Sequence, residues 1–331
     1  MTDTPMLRWP LWPFSVLYGA VVWLRSALYA KGILKCRRLN TPVISVGNLT
    51  VGGTGKTPMV IWLAERFLAE GKRVGILSRG YKGDGATSDE IELMKFRLNN
   101  RVIFGVGKDR YQQGRKLEQQ GVDILLLDDG YQHLQLARDA NILLLDGSRR
   151  LKHEWVLPAG ELREPISSTL RADMIVITRR SEHSAVEARD AHTHNIFYSQ
   201  TQLLGFRDLE RPEEERFLTE IGPGPFFAFC GIGNPHAFLH DLSRWHLPIC
   251  GHEFFRDHHR YGQIDANHLQ MEARKKGAAS LVTTEKDWIN LRPLGKLPMR
   301  VYVVVIALTV RSESEFWSCL ERKLKTPGVS A

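Results

Sequence analysis

The stretch SVGNLTVGGTGKTP, residues 45–58, constrains this chain more than any other. The residues leading into it, TPVISV, are short, apolar and β-branched, as a buried strand is. Those following carry apolar side chains at Met59, Trp62, Leu63, Phe67 and Leu68, the spacing of one helix face. Pro58 suits a first helical turn and Gly71 the far end. Strand, glycine loop and helix in that order are the setting of a P-loop. Gly52, Gly53, Thr54, Gly55, Lys56 and Thr57 then cradle the phosphates of a nucleotide. Glycines let backbone N–H groups converge on phosphate oxygens, and the helix N-terminus adds its positive dipole end. Lys56 is expected to reach the β- and γ-phosphates, and the Thr57 hydroxyl to coordinate Mg²⁺. The usual pattern has glycine where this chain has Thr50, so the loop is a variant. Phosphate held this way is either transferred or hydrolysed to drive a switch.

Strand-like runs recur at 43–46, 73–78, 101–105, 123–129, 141–146 and 174–178, with helical stretches between them. Several are apolar throughout, as strands covered on both faces are. The alternation predicts an α/β fold, a doubly wound, mostly parallel sheet of P-loop NTPase type, with active residues at the C-terminal strand ends. In ILLLDDGYQH the apolar strand ends in Asp128 and Asp129, the position from which a P-loop protein holds Mg²⁺ directly or through water. The sequence does not rank the two. With 331 residues the chain is long enough for two domains. Composition turns charged and then rich in Gly and Pro over 205–224, and a second α/β set follows. The expected division is 1–40 (N-terminal helix and basic segment), 41–215 (P-loop core) and 216–331 (a smaller α/β domain).

Residues 1–40 hold six Lys and Arg against one Asp, +5 of the chain's net +8. Between Arg8 and Arg25 lie sixteen uncharged residues, WPLWPFSVLYGAVVWL. A full span needs about 20, so the segment is short for spanning. Its Trp and Tyr residues favour a membrane interface, and the basic cluster at 31–38 suits anionic headgroups on the cytoplasmic side. A membrane-associated helix is the expectation; a cleaved signal peptide and a buried helix are the rivals. Cys36, Cys230, Cys250 and Cys319 show no C-x-x-C spacing, which fits a reducing compartment. Because the basic excess sits beside an apolar segment, nucleic-acid binding is not expected.

Two further clusters carry possible chemistry. TSDEIEL places Asp89 and Glu90 between the second and third strands. FFRDHHRYGQID gathers Asp257, His258 and His259, more in keeping with one histidine oriented by Asp257 than with a metal site.

Taken together, SVGNLTVGGTGKTP, SRGYKG, SDE, VGKDRY, LLLDDGYQH, LPAGELREP, GIGNP, FFRDHHRY and VTTEKD resemble the tetraacyldisaccharide 4′-kinase family of Gram-negative bacteria. They run in family order from 45 to 287. One departure is Ser88-Asp89-Glu90-Ile91, where the family often has Gly-Asp-Glu-Pro. The resemblance implies transfer of the γ-phosphate of ATP to the 4′-hydroxyl of a membrane-held disaccharide 1-phosphate, in lipid A biosynthesis. It implies a monomeric enzyme with Mg²⁺, on the cytoplasmic face of the inner membrane. By the same carry-over Asp89 is the base and His258, in preference to His259, supports it. Asn48, Thr50, Tyr81, Arg110, Arg163 and Glu164 fall on family motifs as substrate contacts. The alternative is a membrane-associated P-loop switch NTPase, opposed by the lack of a guanine-type N/T-K-x-D stretch: TTEKD has Glu285 where Asn or Thr belongs. A soluble metabolite kinase is a further rival, and the N-terminal segment speaks against it.

Overall fold

The computed structural model describes residues 10–80, 88–148, 154–179, 195–295 and 297–325. The strands are β1 (Val43–Asn48), β2 (Val74–Ser78), β3 (Ile103–Val106), β4 (Ile124–Asp128), β5 (Ala140–Asp146), β6 (Met174–Thr178), β7 (Ile196–Asp208), β8 (Arg211–Arg216), β9 (Phe226–Cys230), β10 (Ile249–Phe254), β11 (Ser280–Thr284) and β12 (Val301–Val310). The helices are α1 (Trp12–Ala30), α2 (Lys56–Ala69), α3 (Asp89–Arg97), α4 (Arg110–Gln119), α5 (Pro235–Arg244), α6 (Gln263–Lys275), α7 (Glu285–Leu291) and α8 (Glu313–Lys325). The chain forms two compact units. The first comprises the described residues of Met1–Thr87, Arg97–Gln200 and Thr309–Ala331; the second is Ser88–Phe96 and Thr201–Leu308.

In the first unit the strand order is β7-β6-β5-β1-β4-β2-β3, paired in parallel throughout. Every residue of β1, β2, β4, β5 and β6 is buried, as the apolar runs predict for strands covered on both faces. Parallel pairing sets Val46 of β1 beside Asp128 of β4, so the glycine loop and the strand-end carboxylates leave the sheet at one edge. Gly47 serves that edge: a Cβ there would lie 2.6 Å from Tyr131 Cβ and 2.7 Å from its backbone nitrogen. Gly55, in the left-handed region at φ 90°, turns the loop into α2.

α1 reverses the usual amphipathic arrangement, in which apolar residues face the core. Its inner stripe is polar and pinned by hydrogen bonds. Ser15 Oγ accepts from Ala159 N at 2.8 Å. Tyr18 OH donates to Arg163 O at 3.0 Å, and Arg25 donates to Gln132 O at 3.2 Å from both Nη atoms. Ser26 Oγ accepts from Arg171 Nη1 at 3.3 Å. Its outer stripe, including Phe14, Leu17, Val21, Trp23 and Leu24, is exposed, Leu17 and Trp23 each at 64%. Among the described residues no helix is long and apolar enough to cross a membrane.

In the second unit the order is β10-β9-β11-β12-β7, with β8 antiparallel to β7. β9 alternates its side chains between two cores: Phe227 and Phe229 pack with Leu269, Trp288 and Leu291, whereas Phe226, Ala228 and Cys230 pack with Leu242, Val282 and Tyr302.

The junction falls at 200/201 instead of 215/216, the described residues before 41 belong with the first unit, and two further stretches change sides beside aromatic contacts. Ser88–Phe96 joins the second unit, where the Phe96 ring lies 4.5 Å from that of Trp288. Residues from Thr309 onward return to the first unit, because Trp317 of α8 stacks on Trp62 of α2 at 5.0 Å and Phe316 meets the same ring at 5.2 Å.

Candidate active site

In the first unit, β1 ends in Asn48 and the P-loop follows. Asn48 is fully buried; its Nδ2 donates to Thr50 O at 2.8 Å and its Oδ1 accepts from Lys56 Nζ at 3.3 Å. Lys56 Nζ also lies 3.5 Å from Asp129 Oδ1. Arg163 Nη1 donates to both Asp129 oxygens at 2.9 Å. Burial pushes the Asp129 carboxyl up, but the charges of Lys56 and Arg163 outweigh it and hold the group below the usual carboxylate range. Asp129 sits at φ 48°, an uncommon conformation for a residue with a side chain, and one that functional sites often retain.

The carboxylate pair thus divides. Asp129 is engaged by two cations, whereas Asp128 is buried, with Ser78 Oγ donating to its Oδ2 at 3.4 Å. The loop's rear is braced by the ends of β5 and β6. Arg179 Nη1 donates to Gly53 O at 2.8 Å and pairs with Asp146 at 2.9 Å, and Thr178 Oγ1 donates to Thr54 O at 3.3 Å. Thr54 Oγ1 is buried with no hydrogen-bond partner, a polar atom suited to a ligand in the loop. The oxygen donors of Thr57 and Asp128 match the hard-cation preference of Mg²⁺, which takes one or two protein oxygens and fills its shell from phosphates and water. No cluster of three or more His, Cys, Asp or Glu placed to hold a metal occurs among the described residues.

The other expected substrate contacts of this unit are distributed as follows. Thr50 bridges to Leu162, Val51 N donates to Glu161 O at 2.9 Å and Arg163 N to Leu49 O at 2.6 Å, so LPAGELREP is laced to the start of the P-loop. Glu164 is 2% exposed and paired with Arg171, a contact that ties it into the fold. Arg110 is buried, with its Nη1 3.3 Å from His133 Nδ1 and its Nε unpartnered. Burial first, then the charges of Arg110, Arg138 and Arg25, push the His133 pKa down to about 4, so the ring is neutral. Tyr81 lies outside the described residues.

The second unit holds Asp89, the first residue of α3, its side chain 6% exposed. His258 Nδ1 lies 2.9 Å from Asp89 Oδ2 and 3.1 Å from Oδ1. Glu90 N donates to Oδ1 at 3.0 Å, and Asn290 Nδ2 to Oδ2 at 3.4 Å. Lys286 Nζ lies 3.4 Å from His258 Nε2, 3.3 Å from Asp257 Oδ1, 3.6 Å from Glu90 Oε1 and 3.9 Å from Asp89 Oδ2. Burial raises the Asp89 carboxyl, yet the His258 hydrogen bond and the Lys286 charge together hold it below its ordinary value. His258 adopts φ 60°, where its backbone N donates to Gly231 O at 3.1 Å and to Asp257 Oδ1 at 3.1 Å.

It is His258, and not His259, whose ring reaches Asp89; His259 pairs with Asp265 at 3.1 Å and stacks on Phe255. The orienting carboxylate is Asp89 rather than the neighbouring Asp257, whose Oδ2 is 3.8 Å from His258 Nε2. Sequence reasoning missed Gln132, His133, Lys286 and Asn290. Gln132 and His133 stand in the quoted run LLLDDGYQH and Lys286 in VTTEKD, but no spacing marks them. Asn290 comes close to Asp89 only because α7 packs beside α3 within this unit, and no local signal announces it.

A family model for tetraacyldisaccharide-1-P 4′-kinase matches residues 7–325. The tetraacyldisaccharide 4′-kinase of Geobacter sulfurreducens is 38% identical over 336 residues, covering 94% of this chain and 92% of that protein. The one from Geobacter metallireducens is 36% identical over 335 residues, covering 94% and 96%. A crystal structure of LpxK from Aquifex aeolicus in complex with ATP superposes with a TM-score of 0.75 at 32% identity, covering 96% of this chain and 99% of that one.

Proposed function

The chain belongs to the tetraacyldisaccharide 4′-kinase family, and on that premise we propose how its residues divide the reaction. The enzyme moves the γ-phosphate of ATP to the 4′-hydroxyl of a lipid-linked tetraacyldisaccharide 1-phosphate. Lys56 and the backbone of Gly52–Gly55 hold the β- and γ-phosphates. Thr57 and Asp128 would hold Mg²⁺, which would supply charge neutralisation to the phosphates. Asp129 keeps Lys56 and Arg163 in place. Asn48, Thr50 and Arg110 contact the acceptor; Arg110 has a buried, unpartnered Nε with which to meet an anionic group. Asp89 accepts the proton of the 4′-hydroxyl, and His258 orients it. The observation that carries this assignment is the Asp89–His258 pair, an almost fully buried carboxylate kept ionised beside an imidazole in a left-handed backbone conformation. Incubation with radiolabelled ATP and the disaccharide 1-phosphate in detergent is expected to give a labelled lipid. Brisk ATP hydrolysis without lipid, and no labelled lipid when it is added, would point to a switch instead.

The enzyme works seated on the cytoplasmic face of the inner membrane, where ATP is present. The outer stripe of α1 enters the bilayer interface, and exposed Lys31 and Lys35, either side of exposed Ile33, meet anionic headgroups. The double variant Leu17→Glu/Trp23→Glu leaves the pinned inner stripe intact. Burying two such side chains contributes about 3–6 kcal/mol, so membrane partition is expected to fall by about 100-fold or more, with ATP affinity unchanged. Sedimentation with vesicles in high salt equal to that of the unmodified protein would refute this seat.

A further inference from the structure

Beyond the Asp89–His258 pair stands Lys286, a largely buried ammonium placed against the far side of the imidazole. We infer that Lys286 is a positioning residue for the proton acceptor: it fixes the His258 tautomer and opposes a second proton on the ring, keeping Asp89 free to take the proton of the substrate hydroxyl. The inference rests on the reading of Asp89 as the base.

An ammonium has three N–H donors and no acceptor. At 3.4 Å from His258 Nε2, Lys286 Nζ can make a hydrogen bond only if Nε2 carries a lone pair. The ring proton then sits on Nδ1 and is donated to the Asp89 carboxylate at 2.9 Å. A doubly protonated ring would set an imidazolium against the ammonium at that same distance and would close Asp89 into an ion pair. Two carboxylates on other elements hold the ammonium there: Glu90 of α3 at 3.6 Å and Asp257 of the loop after β10 at 3.3 Å. Among the described residues, the charged and titratable groups around the ring include Asp89 and Glu90 from α3, Asp257 from its own loop and Lys286 from α7, with neutral Asn290 of α7 on Asp89.

These groups pull in opposite directions. The His258 pKa lies above its ordinary value: the hydrogen bond to Asp89 raises it most, burial and Lys286 lower it, and the charges of Asp89 and Asp257 raise it further. Lys286 also stabilises the Asp89 anion. Removing Lys286 releases both restraints with the same sign: the pair binds its first proton at higher pH, and the proton-accepting form is lost earlier as pH falls. Because the two groups titrate together, the observable is the apparent pKa of the pair.

The test is the pH profile of kcat/KM with the detergent-dispersed disaccharide 1-phosphate as acceptor. Lys286→Met is expected to move the acidic limb up by about one pH unit or more, the size of effect that a charge within this distance has. Activity falls about tenfold below the limb and recovers at alkaline pH. Lys286→Arg keeps the charge and leaves the limb in place. Asp257→Asn, at a partly exposed position, keeps an acceptor for His258 N and deletes one carboxylate that raises the ring's pKa, while Glu90 and Asp89 still hold the ammonium, so it moves the limb the opposite way. That variant keeps the inference testable if Lys286→Met fails to fold. A limb that stays put in Lys286→Met, or a rate reduced by one factor at every pH, would overturn the role of Lys286, as would an Asp257→Asn limb that stays put or rises. If Asp89→Asn proves fully active, the base assignment itself fails, whatever the Lys286 profiles show.

Discussion

Lys56→Ala is expected to lower lipid phosphorylation by about 10²–10³-fold, the scale on which a single preorganised electrostatic group acts. Lys56 is a point charge on a flexible stem, and the structure shows how that stem is aimed: Asn48 Oδ1 and Asp129 Oδ1 hold the ammonium at the mouth of the glycine loop. Both acceptors are fixed in turn, Asn48 by Thr50 O and by Gln132, which donates to its carbonyl at 2.9 Å, and Asp129 by Arg163. The loss therefore falls on phosphate neutralisation rather than on the loop's shape. Arg163 still compensates Asp129, so the variant should melt close to the unmodified protein. Single-turnover transfer from radiolabelled ATP measures the effect, and near-normal turnover would end the P-loop reading.

Asp89→Asn is expected to slow turnover by about 10²–10⁴-fold, the usual worth of general acid–base help, while ATP affinity stays near its starting value. With a loose phosphoryl-transfer transition state, positioning and charge neutralisation supply most of the rest. The substitution is close to isosteric: an asparagine oxygen in the place of Oδ1 still accepts from Glu90 N and from His258 Nδ1. The charge and the basicity go. The sign of the pH dependence follows from the depressed carboxyl of Asp89: the ionised form is present above that pKa, and activity is lost as pH falls through the apparent pKa of the pair. His258→Ala should do part of the same damage. The double variant should be little worse than Asp89→Asn alone, since groups acting as one unit are not additive. Losses that multiply would mean that the two act separately, and a fully active Asp89→Asn enzyme would remove the carboxylate from the chemistry.

The phosphate-handling half of this protein was legible because its signals are local. Val43–Asn48, the glycines and the Met59-to-Phe67 helix face lie within one short stretch, and the burial of every residue in β1, β4 and β5 follows from apolar runs alone. The boundaries were less legible because aromatic contacts far apart in sequence set them: Phe96 with Trp288, and Trp62 with Trp317. Nothing near Ser88 foretells that α3 belongs with a unit whose strands begin more than a hundred residues later. The same holds for Lys286 and Asn290, ordinary polar residues until α7 is packed. Resemblance rather than spacing directed attention to Asp89, and a half-buried imidazole 2.9 Å away gives that attention a physical basis.

The inverted polarity of α1 also bears on the order in which the molecule can be assembled. Its inner contacts run to Gln132, Ala159, Arg163 and Arg171, 107 to 145 residues downstream. At about 5–20 residues per second of synthesis, the helix exists for roughly 5–30 s before those partners do. Through that interval Ser15, Tyr18 and Arg25 are satisfied by water, and the apolar stripe has nothing of its own chain to cover it. The loops that carry Gln132, Ala159 and Arg163 close onto a segment made before them. The helix is thus the surface against which the loops that brace Asn48 and Asp129 are set.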